Sequence, residues 1–111
     1  MRHPEPADRA VAITTVLAEL DVRRDERVLI MLKGGPGFVE VFTGLTRWGA
    51  VPLSVNPRLT AADIAAIATE TGARLVLTST KRIHRLADLD AEPPILVEGL
   101  RGLWAIALRR P

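Results

Sequence analysis

Apolar residues in this chain alternate between helical spacing and short continuous runs, and the segment from 38 to 57 shows both in succession. Apolar residues recur at intervals of three and four at Phe38, Val41, Phe42, Leu45 and Trp48. This spacing predicts an amphipathic helix whose apolar stripe faces the sheet. Gly49 is placed to end that helix in a left-handed conformation, and the apolar run 51–55 follows at once. The segment therefore predicts a helix leading into a buried strand.

The preceding segment has the same two kinds of pattern. A helix over about 9–20 is predicted, with Asp8 as its cap and a buried face formed by Ile13, Val16, Leu17 and Leu20. The run 27–32 is continuously apolar after Arg27 and has the length of a strand. Because a continuous run is typical of a strand covered on both faces, this strand is expected in a parallel sheet.

A second helix–strand pair follows residue 57. Thr60 and Asp63 have the spacing of a capping box, which predicts a helix start. The inner face of this helix is expected to consist of Ile64, Ile67, Ala68 and Thr71. Gly72 is its natural end, and the run 74–78 reads as a third strand.

The last third of the chain is less regular. Residues 81–89 are interpreted as a short basic helix with Ile83, Leu86 and Leu89 facing inward. Pro93 and Pro94 introduce a fourth strand candidate at 95–97, while the pattern leaves 100–110 unassigned. Strands and helices in alternation predict an α/β fold, with a mainly parallel sheet of about four strands flanked by helices. Residues 1–111 are expected to form a single module.

Amino-acid composition limits the cellular compartments and the classes of binding partner that are expected. The chain contains no cysteine, which excludes disulfides and thiolate chemistry and agrees with a reducing compartment. The N-terminus lacks the apolar core of a signal peptide and no run is long enough to span a bilayer, so a cytoplasmic protein is expected. The net charge is only +2, and no basic stretch carries interleaved aromatics, so nucleic acid is not an expected partner.

The glycine-rich loop 33–37 lies between a predicted strand and a predicted helix. Phosphates bind at such positions, because backbone N–H groups and the helix dipole converge there. The loop matches neither the dinucleotide-binding pattern nor the P-loop, since Lys33 precedes the glycines. A tight turn is the simpler interpretation, with Pro36 in the first helical turn. Gly44 is interpreted as permitting close packing of the helix on the sheet.

Other chemistry-bearing residues do not form a recognisable site. His3 and His84 have no ligand-spaced partner, so no metal site is predicted. Ser54 or Ser79 could be paired with His84, but no nucleophile elbow surrounds either serine. A basic group that could meet an acidic ligand, and that more simply reads as a solvated face, consists of Lys81, Arg82 and Arg85.

Five segments taken together resemble the opening hundred residues of the acyl-adenylate-forming superfamily, which includes acyl-CoA synthetases and aryl-CoA ligases. They are LDVRRDERVLIML at 20–32, FVE at 38–40, WGAVPL at 48–53, VNPRLT at 55–60 and GARLVLT at 72–78. The family's corresponding motifs are G-V-x-x-G-D-R-V, P-E-F, A-G-A-V-x-V-P-L-N-P-x-L and G-A-x-L-V-V-T, in the same order. The likeness extends over about 16–97.

The departures from the family pattern concern loops and packing. Glu26 stands where the family has Asp, Gly35 where it has Asn or Ser, and Gly37 where it has Glu. Arg47 and Trp48 replace a Lys-Ala pair. These differences leave the implied fold intact.

The resemblance implies an enzyme that joins a carboxylic acid to AMP with Mg-ATP and then passes the acyl group to CoA, with a place in fatty acid metabolism. In that family ATP is bound by a later Thr/Ser/Gly-rich loop and by further motifs, and catalysis is completed by a Lys of a C-terminal domain. Residues 78–81 lack the glycines and the Pro-Lys ending of that loop and are interpreted as scaffold. No catalytic, cofactor-binding or metal-binding residue is therefore carried over to this chain.

The sequence thus predicts a truncated, N-terminal part of an adenylating ligase that is not catalytic by itself. Its expected partner is the remainder of the ligase, a complementing chain or a second copy. An alternative is a non-catalytic module that docks through an apolar tail formed by Leu100, Leu103, Trp104, Ile106 and Leu108. A third possibility is a nucleotide-binding protein that uses the loop 33–37.

Overall fold

The computed structural model describes residues 6–109, with the side chains from residue 11 onward. The described residues form three helices, α1 (Pro6–Glu19), α2 (Pro36–Trp48) and α3 (Ala61–Thr71), and one four-residue 3-10 turn (Ile83–Leu86). The strands are β1 (Arg27–Met31), β2 (Val51–Ser54), β3 (Leu75–Ser79), β4 (Ile95–Leu96) and β5 (Leu103–Ala107). His3 lies outside the described residues. In the described part of the chain, no helix is long and apolar enough to cross a membrane.

The five strands form one sheet in the order β2-β1-β3-β5-β4. β1 pairs in parallel with both β2 and β3, as the predicted βαβ units require. β5 pairs antiparallel with β3 over five residues and also with β4. The α/β class is confirmed, and the segment that the pattern left unassigned supplies the fifth strand.

The residues of β1 alternate between two cores. Val28 and Ile30 face the layer formed by α1 and α2, whereas Leu29 and Met31 face the layer that contains α3. Because both faces are covered, the strand is apolar throughout its buried length, as its continuous run predicted.

Local signals for helix ends are confirmed. Gly49 and Gly72 adopt left-handed conformations at the ends of α2 and α3. Thr60 Oγ1 accepts the Asp63 N–H, while the Asp63 carboxylate accepts the Thr60 N–H, so the capping box is complete. α1 begins at Pro6, which places Asp8 inside the helix instead of before it.

Three packing predictions are corrected. A Cβ on Gly44 would lie 2.7 Å from Ile13 Cβ, so this glycine permits contact between α2 and α1 and not between α2 and the sheet. Phe42, expected on the buried stripe, is 43% exposed, because α2 buries mainly Val41 and Leu45. Only the 3-10 turn forms in the predicted basic helix 81–89.

The prediction that 100–108 form an exposed apolar tail for docking is also wrong. Leu103, Ile106 and Leu108 are buried, and Leu100 and Trp104 are half-buried. Trp104 Nε1–H donates to Thr80 Oγ1 over 2.9 Å. Because the segment completes the sheet as β5, its apolar residues belong to the core and not to a free surface.

Candidate functional site: a cleft at the carboxyl ends of β1 and β3

The parallel part of the sheet creates a crevice beside the end of β1. α2 connects β1 to β2 across one face, and α3 connects β2 to β3 across the other face. The chain leaves β1 into α2 on one face and leaves the neighbouring strand β3 toward the 3-10 turn, whose Leu86 packs on the other face, so the exits from β1 and β3 diverge. In open α/β sheets, ligands bind outside the carboxyl ends of the strands at such a switch point.

A cleft of about 530 Å³ lies at this position. Its walls come from 32–38, Glu40 and Val41 on the β1–α2 side, from Ser79 at the end of β3 and Arg82 after it, and from 99–103, which lead into the start of β5. The volume lies within the range of about 300–1,000 Å³ that is typical of small-molecule sites. The cleft is therefore large enough for a small-molecule ligand.

The glycine-rich loop forms one wall of the cleft. Gly35 has a φ of 141°, and Pro36 occupies the start of α2, as predicted. No side chain caps this helix, although the Gly35 carbonyl accepts the Val39 N–H over 3.2 Å. The loop presents backbone to the cleft at its three glycines, beside the side chains of Lys33 and Phe38.

The predicted basic group is divided by the structure. Arg82 is half-buried, lines the cleft and donates from Nη1 to Ser79 Oγ over 3.2 Å. Arg85 points elsewhere, because its Nη1 donates to the Arg58 carbonyl over 3.1 Å. Lys81 is exposed. Of these three cations only Arg82 contributes to the cleft, together with Lys33 and Arg101 from other segments.

Hydrogen bonds from residues 78–81 join neighbouring segments of the fold. The buried Thr78 hydroxyl donates to the Met31 carbonyl over 3.2 Å and joins the ends of β3 and β1. The Thr80 N–H donates to the Gly102 carbonyl over 2.9 Å. These bonds hold the walls of the cleft together, and Ser79 is the member of the segment that lines it.

The remaining candidates are not brought together as catalytic groups. In the described part of the chain, neither Ser54 nor Ser79 forms a hydrogen bond with His84. Between residues 6 and 109, no group of three or more His, Asp or Glu side chains could hold a metal ion. Hydrogen bonds from Thr60 lower the pKa of Asp63, but this carboxylate belongs to the α3 cap and not to the cleft.

Sequence reasoning missed the wall formed by 99–102. Gly99 and Gly102 have φ values of 87° and 72°, which are typical of glycines in tight turns. The two glycines lie between β4 and β5 and were the available signal for a hairpin. Because 100–110 was not assigned as a strand, the hairpin and its side of the cleft were not predicted.

Comparison with known proteins identifies the family. The family model described as "AMP-binding enzyme" matches residues 3–104. The chain belongs to the AMP-binding enzyme family. Membership confirms the resemblance that the five sequence segments indicated.

Relatives of this AMP-binding family chain include CoA ligases. It is 28% identical over 96 residues to a 4-hydroxybenzoate/benzoate CoA ligase of Rhodopseudomonas palustris, covering 86% of this chain and 18% of the relative. It is 41% identical over 76 residues to a 4-coumarate CoA ligase-like protein of Oryza sativa subsp. japonica, covering 68% of this chain and 13% of the relative. The chain thus spans less than a fifth of the length of either relative.

Solved structures agree with this assignment. A benzoate CoA ligase from Burkholderia xenovorans matches 74% of this chain with a TM-score of 0.67 and 29% identity, over 17% of its own chain. An acyl-CoA synthetase of Brucella canis matches 86% of this chain with a TM-score of 0.68 and 22% identity, over 16% of its own chain, which supports the fold.

Proposed function

We propose that this chain is the N-terminal part of an ATP-dependent CoA ligase, which activates a carboxylic acid as its acyl-adenylate and transfers the acyl group to CoA. The family match over residues 3–104 carries the proposal. It is supported by relatives named as benzoate and 4-coumarate CoA ligases. The acid is proposed only as a class, because those relatives act on different acids and the chain spans a small part of each.

The contribution proposed for this part is structural. Among the described residues, no group of three or more His, Asp or Glu side chains could hold a metal ion. Because the chain covers only 18% and 13% of two CoA-ligase relatives, we assign ATP, Mg²⁺ and CoA chemistry to the length of the relatives that this chain does not span. We expect the chain alone to be inactive.

A graft tests the structural equivalence. The part of this chain that matches the Burkholderia xenovorans ligase, 74% of its length, would replace the aligned segment of that ligase, and benzoate-dependent AMP formation would be measured beside that of the chain alone. We expect activity in the graft and none in the chain. A folded graft without activity would contradict the proposed equivalence, and AMP formation by the chain alone would contradict its inactivity.

The native size of the product provides a second test. An antibody against this region would be used on a lysate of the source cells. A band several times larger than 12.1 kDa is expected for part of a ligase. A band at 12.1 kDa would instead indicate that the cell makes this module alone.

The alternative of an interaction module now depends on different residues. Val39 and Phe42 on α2 are 59% and 43% exposed, and the Phe42 ring stacks on Phe38 with a centroid distance of 6.1 Å. If this small surface docks on a partner or a second copy, the chain should elute as a dimer or complex. A monomer in light scattering at micromolar concentration would count against self-association.

A further inference from the structure

We propose that the cleft at the carboxyl ends of β1 and β3 binds a phosphate monoester whose organic part is apolar. Three cationic side chains line the cleft, Lys33, Arg82 and Arg101, and one carboxylate, Glu40. The excess of two positive charges matches a phosphate monoester, which carries a charge close to −2 at neutral pH. This proposal concerns the residues of this chain and does not depend on the ligase function.

The cations reach the cleft from three separate parts of the chain. Lys33 follows β1, Arg82 follows β3, and Arg101 lies in the turn between β4 and β5. Lys33 and Arg101 are exposed, and within the described residues neither side chain forms a hydrogen bond or ion pair. Arg82 is held by its bond to Ser79 Oγ, so one cation is positioned and two are free to close on an anion.

Another part of the lining is apolar. Leu32, Phe38 and Leu100 are half-buried in the cleft wall, and Val41 and Leu103 are buried behind them. An anion without an apolar part would leave this wall exposed to water. An aromatic ring or a nucleoside attached to the phosphate would cover it.

Glycines provide an independent observation. Five of the eight glycines in the chain line the cleft. Gly34 and Gly37 have no positive φ, and a Cβ at either position would meet no atom within 4 Å. Neither the backbone conformation nor the packing of this chain therefore requires glycine there. An absent side chain at such a position allows a ligand to approach the backbone closely.

The test is a titration of the full chain with phenyl phosphate, followed by ¹H–¹⁵N NMR. We expect a Kd below about 1 mM and shifts at the cleft glycines, such as Gly34 and Gly102. Gly49 and Gly72 end α2 and α3 away from the cleft and serve as internal controls, with no shift. The absence of shifts up to about 10 mM, or equal shifts at the control glycines, would overturn the proposal.

Variants test whether the cations of the cleft contribute to phosphate affinity without changing the fold. The double variant Lys33→Gln/Arg101→Gln should fold normally and bind phenyl phosphate at least about tenfold more weakly, because it loses two charge-assisted contacts. Arg23→Gln removes one exposed positive charge outside the cleft and should leave affinity within about twofold. Equal weakening in both variants would show non-specific attraction and refute a built site.

Two further arms test the apolar wall and the glycines. Inorganic phosphate should bind about tenfold more weakly than phenyl phosphate, because it buries no ring. Gly34→Ala should fold like the wild type and lose affinity, because the added methyl group enters the cleft. Equal affinity for the two phosphates, or an unchanged Kd in Gly34→Ala, would contradict the proposed arrangement.

Discussion

Replacement of Gly44 by Ala tests the contact between α1 and α2 most directly. A Cβ at this position would lie 2.7 Å from Ile13 Cβ, 2.9 Å from Cγ2 and 3.2 Å from Cγ1. Ile13 is fully buried and its Cβ is fixed to the backbone of α1, so the collision is relieved only if the helices move apart. Overpacking of this kind costs about 1–3 kcal/mol.

Helix propensity opposes this cost. Ala is favoured over Gly inside a helix by about 0.5–1 kcal/mol. The expected net effect of Gly44→Ala is therefore a loss of roughly 0–2.5 kcal/mol in the free energy of unfolding. A loss of 1 kcal/mol lowers the melting temperature of a domain near this size by about 4–8 °C. Urea unfolding followed by circular dichroism would measure the free energy.

The same substitution at Gly37 is a matched control within α2. A Cβ on Gly37 would meet no atom within 4 Å, so only helix propensity acts and stability should stay equal or rise by up to about 1 kcal/mol. Ile13→Val keeps all three colliding atoms and should not rescue Gly44→Ala. Ile13→Ala removes two of them and should show a coupling of at least about 0.5 kcal/mol. The reasoning is refuted if Gly44→Ala is as stable as Gly37→Ala.

Three other predictions follow from hydrogen bonds and strand edges. Thr60→Ala should lower the free energy of unfolding by about 1 kcal/mol through loss of the α3 cap, and NMR titration should show the pKa of Asp63 rising toward its ordinary value of 3.8. The pKa of Asp63 is lower in the folded than in the unfolded chain, so the charge-dependent stabilisation by the cap is present at neutral pH and is lost as the pH falls through the folded pKa. The difference in the free energy of unfolding between variant and wild type should therefore narrow in acid. A constant difference would contradict this. Trp48→Phe should cost about 1 kcal/mol in urea unfolding, because the indole N–H donates to the Val22 carbonyl over 2.9 Å; unchanged stability would exclude a net contribution from that bond. Pro52→Val should increase aggregation on mild heating, measured as light scattering. The N–H groups of the flanking residues face β1, so the new N–H would lie on the open edge of β2 and could pair with another chain. Scattering equal to that of the wild type would show that Pro52 does not protect this edge.

Elements with a local chemical signal were predictable from sequence. The capping box at Thr60, the left-handed glycines Gly49 and Gly72, and the continuous run of β1 each have one dominant physical reading, and the structure confirms them. These signals depend on atoms a few residues apart. Hence the order of elements in the βαβ half of the sheet follows from the pattern. β2, predicted to be buried, is instead an edge strand with Val51 and Ser54 exposed.

Features that depend on distant residues were not predictable. The direction of β5 is set by its pairing with β3, from Leu75 with Ala107 to Ser79 with Leu103, and not by any local signal within β5. Gly44 packs against Ile13, which lies on a different helix far earlier in the sequence, so the two residues come close only after folding. The cleft needs three separate segments, and one of them lay in the unassigned region.

The antiparallel direction of β5 decides where an attachment to this module is tolerated. β5 starts beside Ser79 at the cleft end of the sheet and finishes beside Leu75 at the other end, so Arg109 lies away from the cleft. The middle of α1 lies beside the turn that forms one wall of the cleft, because a Cβ on Gly99 would lie 3.3 Å from Ala12 Cβ. A surface linker or fluorophore joined after Arg109, at the other end of the sheet, should therefore leave the mouth of the cleft open.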